Sequence, residues 1–479
     1  MRTRAANGRS GQGTRRRKTQ ANSGLTPQTP DPRGAAFQVR RGAARVVRAV
    51  TDQRQLFDAA FADALGHDLE GLDARDTAFA RLIAVTVLRR LSQIDAALAS
   101  VMDKPLDDRA PFARAIMRVA TAELVFLDIA PHAAIDTAVR VMKAHGRSRH
   151  FGGLANAVLR KLSSTRDDLR NQFARDGAMD DGHWLAQRWT RHWGADRAAK
   201  IALAHTREPA LDLTLAKPQA PLPEGLDGVA LSTGTFRAQH SGRIESLPGY
   251  ADGAWWVQDA AAALPARLLN VSKGERVLDV CAAPGGKTAQ LISAGAHVTA
   301  LDISKTRMKR VRQNLTRLDL KAELVTADIF AWTPDVPFDA VLLDAPCSAT
   351  GTIRRHPDIP LLKDESDIAE LVVQQKAMLR RVAEFVRPGG RLIYCVCSLE
   401  LDEGETRVAD FLAENSAFRL APIAAETHDV PAEMVTHDGM LRTFPFLEVP
   451  HLAGDGTSPG IDGFFAALLV RSDPSVTGG

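Results

Sequence analysis

Short apolar runs alternate with polar, helix-forming stretches between residues 271 and 473, and this alternation limits the fold more than any other feature of the chain. Arg276-Val277-Leu278-Asp279-Val280 has the pattern of a short buried strand. Residues 281–287 follow as a loop and 288–294 as a helical stretch. Residues 297–302 form a second strand, and Ser304 is placed to cap a helix running through Leu318. Residues 322–326, 338–343 and 391–397 are the third, fourth and fifth strands, with a helix over 370–385 before the last. Strands and helices in alternation predict a doubly wound, mostly parallel α/β sheet of Rossmann-like type. Ligands of such sheets bind outside the carboxyl ends of the strands.

That rule singles out Asp302, Asp328, Asp344 and Cys397, which all fall at predicted strand ends, together with the turn at 284–286. Small residues in the turn let backbone approach a ligand closely. Asp302 lies 16 residues after Gly286, near the spacing of an acid that clamps ribose hydroxyls. The turn lacks the G-x-G-x-x-G spacing of a dinucleotide site. Gly286-Lys287-Thr288 matches only the end of the G-x-x-x-x-G-K-[ST] phosphate loop.

All four cysteines, Cys281, Cys347, Cys395 and Cys397, lie in this region. So few in so long a chain exclude a disulfide-stapled scaffold and fit a reducing compartment. Cysteine commonly serves as a small core residue. Zinc is disfavoured, because C-x-C spacing suits it poorly and no C-x-x-C pair exists. Cys347 and Cys397 instead follow the fourth and fifth strands, at adjacent rims of one cleft. Two thiols beside a nucleoside site point to covalent chemistry on a base. A thiolate there needs a lowered pKa, for which Lys287 is the nearby cation.

The rest of the chain is different in kind. Phe79, Ile83, Val87, Leu91, Ile94 and Leu98 make the stripe of an amphipathic helix, and residues 43–170 as a whole read as a small helical bundle. Residues 171–270 form a linking α+β region. Trp184, Trp189 and Trp193 within it fit a helix core better than a platform for stacked bases. Trp255-Trp256-Val257 before Gln258 and Asp259 reads either as a cleft wall or as a strand-to-helix junction. Residues 1–36 lack aromatics and apolar periodicity, and a disordered basic tail is expected over 1–42. Lys plus Arg exceeds Asp plus Glu by 61 − 57 = 4, yet residues 1–41 hold ten basic residues against Asp31 alone. A solvated tail and a phosphate-binding arm are both open on charge alone. No apolar run approaches the roughly 18–20 residues that span a bilayer, and no secretory leader is evident.

Residues 279–288, Asp-Val-Cys-Ala-Ala-Pro-Gly-Gly-Lys-Thr, resemble the cofactor motif of RNA (cytosine-5)-methyltransferases. Residues 344–351 and 395–400 are similar to that family's two cysteine motifs, in the family's order. The helical region resembles a NusB-like RNA-binding domain, with residues 153–160 similar to its closing helix. Together they match the layout of the Sun/RsmB group, which methylates small-subunit ribosomal RNA. The resemblance implies S-adenosylmethionine as cofactor, contacted by Cys281, Ala282, Ala283, Pro284, Gly285, Gly286 and Lys287. It implies that Asp302 clamps the ribose, that Asp328 sits beside the adenine, and that Asp344 lies between cofactor and base. Cys397 matches the nucleophile and Cys347 the second cysteine, which assists product release. Val396 stands where the family usually has Thr, and residues 213–216 depart from an Arg- and Asn-containing segment. The expectation is a cytoplasmic, monomeric enzyme with ribosomal RNA as partner and neither metal nor membrane. Transfer RNA as substrate, or a non-catalytic RNA-binding assembly factor, are the alternatives. RNA as partner favours the arm reading of the tail, and Arg354 and Arg355 are the expected RNA surface of the body.

Overall fold

A computed structural model describes residues 32–473, apart from 105, 107–109, 178, 180–181, 218–219, 240–241, 429 and 453–455. The amino-terminal part is a bundle of eight helices: α1 (Pro32–Gln53), α2 (Phe57–Leu65), α3 (Ala74–Arg89), α4 (Leu91–Ala99), α5 (Pro111–Val125), α6 (Pro131–Ala144), α7 (Gly152–Ser164) and α8 (Arg166–Phe173). Pro111 and Pro131 stand at the first position of α5 and α6, where a missing N–H costs no hydrogen bond. Helix α5 is the axis, buried along almost its whole length.

Two expectations are corrected here. The stripe from Phe79 to Leu98 is not one helix: α3 ends and α4 begins around Arg90, whose φ of −114° breaks the helical path. Ile83, Val87, Ile94 and Leu98 are nonetheless all buried, so the apolar spacing survives the break. The basic tail does not extend to residue 42, because α1 starts at Pro32. Arg40 pairs with buried Glu123 at 2.6 Å and Arg41 with Asp68 at 2.8 Å, so two of the charges assigned to the tail are neutralised within the bundle. The tail proper, residues 1–31, lies outside the described residues.

The linking region opens with α9 (Trp184–Trp193) and α10 (Ala195–Ala204), separated at Gly194, whose φ of +80° suits glycine. Strands β1 (Leu211–Leu215), β2 (Gly228–Ala230), β3 (Phe236–Ala238) and β4 (Trp255–Val257) then make an antiparallel sheet in the order β2-β3-β1-β4. Helix α11 (Ala260–Leu268) leads into the large sheet.

That sheet contains β5 (Arg276–Val280), β6 (His297–Asp302), β7 (Glu323–Thr326), β8 (Phe338–Asp344) and β9 (Val386–Val396). Between them run α12 (Gly286–Ser293), α13 (Lys305–Arg317), the short α14 (Ile359–Leu362) and α15 (Glu365–Ala383). After β9 come α16 (Glu405–Glu414), β10 (Phe418–Leu420), β11 (Leu441–Thr443), the hairpin β12 (Glu448–Pro450) and β13 (Thr457–Pro459), and β14 (Phe464–Arg471). The strand order is β10-β14-β9-β8-β5-β6-β7, with β11 also paired to β14. Strands β5 to β9 are mutually parallel, but β14 runs antiparallel between β9 and β10. The Rossmann-like prediction is met for the five strands, and the antiparallel edge is an addition to it.

Side chains alternate across the sheet with period two. Val277, Ala340, Leu342 and Ile393 pack with α11 and α12, while Leu278, Val341, Leu343 and Tyr394 pack with α15 and α16. Both faces are therefore covered, as a parallel sheet requires. The chain order reverses between β5 and β8, the switch point at whose carboxyl ends ligands of such sheets bind. The bundle is fastened to this domain by Phe57 N donating to Asp358 Oδ2 at 2.9 Å and Arg89 donating to Arg354 O at 2.9 Å.

Candidate active site

The loop after β5 is held from below and from one side. Asp302, at the end of β6, accepts from Ala283 N at 3.3 Å and from Ser304 N at 2.9 Å, one bond to each carboxylate oxygen. Arg307 of α13 donates to Ala283 O at 2.6 Å, and Asn314 donates to Pro284 O at 2.9 Å. Cys281 takes φ +60° and Gly285 φ +102°, and a Cβ at Gly285 would meet Val311 at 3.2 Å. Gly285 also caps α12 without any side-chain acceptor, so first-turn N–H groups remain as donors at the cleft. Burial first, then Asp344 and Asp302, push the Cys281 thiol up to about 12, so Cys281 shapes the loop as a neutral side chain. Asp328 is exposed just beyond β7, where its carboxylate accepts from Phe330 N at 3.0 Å.

Asp279 lies under the loop, and Thr288 donates to it at 2.5 Å. Burial raises its carboxyl to about 7. Its second oxygen, Oδ1, is buried without a partner.

The opposite side of the cleft is built by β8 and β9, which place Asp344 directly opposite Cys395. Lys287 Nζ donates to Asp344 Oδ2 at 2.8 Å, and Cys395 Sγ lies 3.6 Å from Oδ1. Burial works against the Lys287 charge, but Asp344, Cys395 and Cys397 together hold its pKa above the ordinary lysine value. Its Nζ stands 5.0 Å from the centre of the Phe464 ring, a further attraction for a cation. Lys287 is thus the cation beside the cysteines that the sequence implied, and its direct hydrogen-bond partner is Asp344.

Cys347 and Cys397 meet as the sequence implied, Sγ to Sγ 3.5 Å apart. Both are free thiols and both are partly exposed, whereas Cys395 is buried. The hydrogen bond with Cys397, then burial, drive the Cys347 thiol well above its usual value. Cys347 therefore holds its proton beside Cys397. No cluster of His, Cys, Asp or Glu fit to hold a metal ion exists among the described residues, and no helix among them is long and apolar enough to cross a membrane.

Arg354 and Arg355 do not form an RNA surface. Arg354 is 3% exposed and pairs with Asp462 at 2.9 Å. Arg355 reaches Asp259 at 2.6 Å and Asp462 at 2.8 Å. Asp462 is more than a hundred residues away in sequence, so neither pairing is visible in the local charge pattern. The cluster locks α11, the β13–β14 connection and the cysteine loop together.

Sequence reasoning missed the residues that brace the second cysteine motif. Trp189 is fully buried and donates to Glu400 Oε1 at 3.0 Å, and Arg188 donates to Oε2 at 2.5 Å. The core reading of that tryptophan holds, and the core it joins includes Leu399 and Ile353 of the catalytic domain. Trp189→Ala is expected to cost about 3–5 kcal/mol of stability, measured by denaturant unfolding, because it opens a cavity and leaves Glu400 Oε1 with one donor fewer. Trp256 also resolves: its indole donates to Gln258 at 2.8 Å, and both side chains stand 3.5 Å from a Cβ built on Gly286. The segment is at once a strand-to-helix junction and a wall beside the loop.

The fold and this site define a Rossmann-like methyltransferase domain preceded by a NusB-type helical domain. The family model described as 16S rRNA methyltransferase RsmB/F matches residues 266–470, and that of the NusB family matches 38–164. The ribosomal RNA small subunit methyltransferase B of Xanthomonas campestris pv. campestris is 34% identical over 465 residues, covering 91% of this chain and 98% of its own. The protein of the same name from Klebsiella pneumoniae subsp. pneumoniae is 33% identical, covering 83% and 90%. The crystal structure of PH0851 has the same fold, with a TM-score of 0.66 over 90% of this chain and 98% of that one at 22% identity. The chain belongs to the RsmB/F family of 16S rRNA methyltransferases.

Proposed function

We propose that the protein methylates carbon 5 of a cytosine in small-subunit ribosomal RNA through a covalent adduct on Cys397. The observation that carries this reading is the pair of thiols 3.5 Å apart at the ends of β8 and β9, beside the Lys287–Asp344 pair and the glycine loop.

S-adenosylmethionine fits the donor set of the loop. Gly285 and Gly286 present backbone without side chains, and each Asp302 oxygen has accepted one hydrogen bond and retains capacity for another. Asp328 is exposed at the next strand end for the adenine. Once bound, this cofactor supplies an electrophilic methyl group on a positively charged sulfur.

The chain's own residues account for the remaining chemistry. Carbon 5 of cytosine is a weak nucleophile. Addition of the Cys397 thiolate at carbon 6 shifts the electron pair of the 5,6 double bond toward carbon 5. A proton shared between Asp344 and ring nitrogen 3 holds the base edge and neutralises the negative charge that addition develops on the ring, while Lys287 fixes the position of the carboxyl group. Cys347 donates its S–H to the Cys397 thiolate before addition. After methylation the carbon-5 proton passes to water, the 5,6 double bond re-forms, and the carbon–sulfur bond breaks with its electron pair on Cys397, whose departure the Cys347 S–H assists by donating to the leaving sulfur. The target base reaches this pocket unstacked, so an unpaired or loop cytosine is the expected substrate.

Bisulfite sequencing of total RNA from cells with and without the protein tests the reading. A protected cytosine in small-subunit ribosomal RNA should become convertible on deletion. An unchanged pattern overturns the reading, and a lost signal in transfer RNA redirects it to that substrate.

A further inference from the structure

We propose that Glu403 is a positioning residue that clamps the two cysteine loops together, setting Cys347 where it acts on the adduct formed at Cys397. The proposal rests on the two-cysteine reading above. Each of these cysteines is followed by a serine, Ser348 and Ser398. Both serine hydroxyls donate to the same atom, Glu403 Oε2, each at 2.5 Å. The other oxygen, Oε1, accepts from Ser348 N and from Gln375 Nε2, both at 2.9 Å.

The clamp grips Cys347 from both sides. Ser348 follows it, and Gln375 Nε2 also donates to Pro346 O, which precedes it, at 2.9 Å. Tyr394 donates to Glu403 O at 2.7 Å, fixing the backbone that carries the carboxylate. The loops share further ties, with Gly351 N donating to Cys397 O at 3.1 Å, Leu399 N to Thr350 Oγ1 at 3.0 Å, Thr350 Oγ1 to Glu400 Oε1 at 3.2 Å and Ser348 Oγ 3.1 Å from Ser398 Oγ. The shortest bonds of the hydroxyl after each cysteine are nonetheless those to Glu403.

Glu403 is completely buried, and a buried carboxylate is costly even when paired. Apolar packing would stabilise this place more simply. A group retained at such cost, with its four donors drawn from the two cysteine loops and the helix behind them, sets geometry. Reaction steps are sensitive to displacements of about 1 Å, and the 3.5 Å spacing of the thiols depends on loops from two different strands.

The test uses the full-length protein, S-adenosylmethionine and transcribed small-subunit ribosomal RNA. It reads kcat, KM for RNA and the fraction of protein in a denaturant-resistant RNA adduct. Ser348→Ala and Glu403→Gln should lower kcat by about tenfold, leave KM for RNA unchanged, and accumulate adduct although Cys347 is intact. Ser398→Ala should slow adduct formation without accumulation. Ser348→Ala removes a single oxygen, so it carries the test if Glu403→Gln fails to fold by circular dichroism. Wild-type kcat in Ser348→Ala overturns the proposal, as does a loss of activity without adduct. In either case an adduct trapped by Cys347→Ala leaves the two-cysteine reading standing. No adduct in Cys347→Ala itself overturns both.

Discussion

Cys397→Ala is expected to abolish methyl transfer, by at least about four orders of magnitude, while S-adenosylmethionine still binds. The size follows from the chemistry of the base. Without addition at carbon 6, carbon 5 has too little electron density to attack a methyl group, and no neighbouring side chain can substitute. Cys347 stands 3.5 Å away, but its thiol is held well above the usual value by the bond to Cys397 and by burial. Cys395 is buried and driven the same way, first by burial and then by Asp344. Cofactor binding should survive because the loop is fastened by Asp302, Arg307 and Asn314. Methyl transfer to RNA and retention of labelled S-adenosylmethionine, measured on one preparation, separate the two effects. Activity within tenfold of wild type would exclude Cys397 as the nucleophile.

Where the sequence was readable, the physics was local. Residues 276–280 and 297–302 carry short apolar runs that end in turn signals, and both are strands of the central sheet. The loop between them needs glycine at φ +102°, and Gly285 is there. The rule that ligands sit at strand ends places Asp302, Asp344, Cys347 and Cys397 together from the sequence alone. What the sequence hid was settled by long-range partners. Phe464 to Arg471 reads as an apolar run whose direction in the sheet nothing local decides, and it enters antiparallel beside β9. Arg354 and Arg355 look like an exposed basic pair until Asp259 and Asp462 arrive from opposite ends of the domain. The break at Arg90 is hidden by an apolar spacing that continues across it. Glu403 was hidden for another reason. It lies six residues after Cys397 among Glu400, Asp402 and Glu405, and in sequence these four acids look like a solvated acidic run.

Cys347→Ala should have the opposite signature to the loss of the nucleophile: the protein should become trapped on its RNA. Cys397 remains free to add to the base, so the first half of the reaction proceeds. Release then needs the carbon-5 proton to be taken and the carbon–sulfur bond to break. Cys347 Sγ stands 3.5 Å from Cys397 Sγ, and the bond between the two thiols puts it beside the adduct. Without it, adduct should build up over a single turnover to most of the active protein, visible as a shifted band on a denaturing gel. Multiple-turnover methylation should fall by about a hundredfold or more, the range typical of a lost proton-transfer group. The double variant Cys347→Ala/Cys397→Ala should show no band, since the bond to RNA is made by Cys397. That order of effects distinguishes roles that distance alone leaves symmetric. A band in the double variant would put the covalent bond on another residue, and its absence in Cys347→Ala would remove Cys347 from the release step.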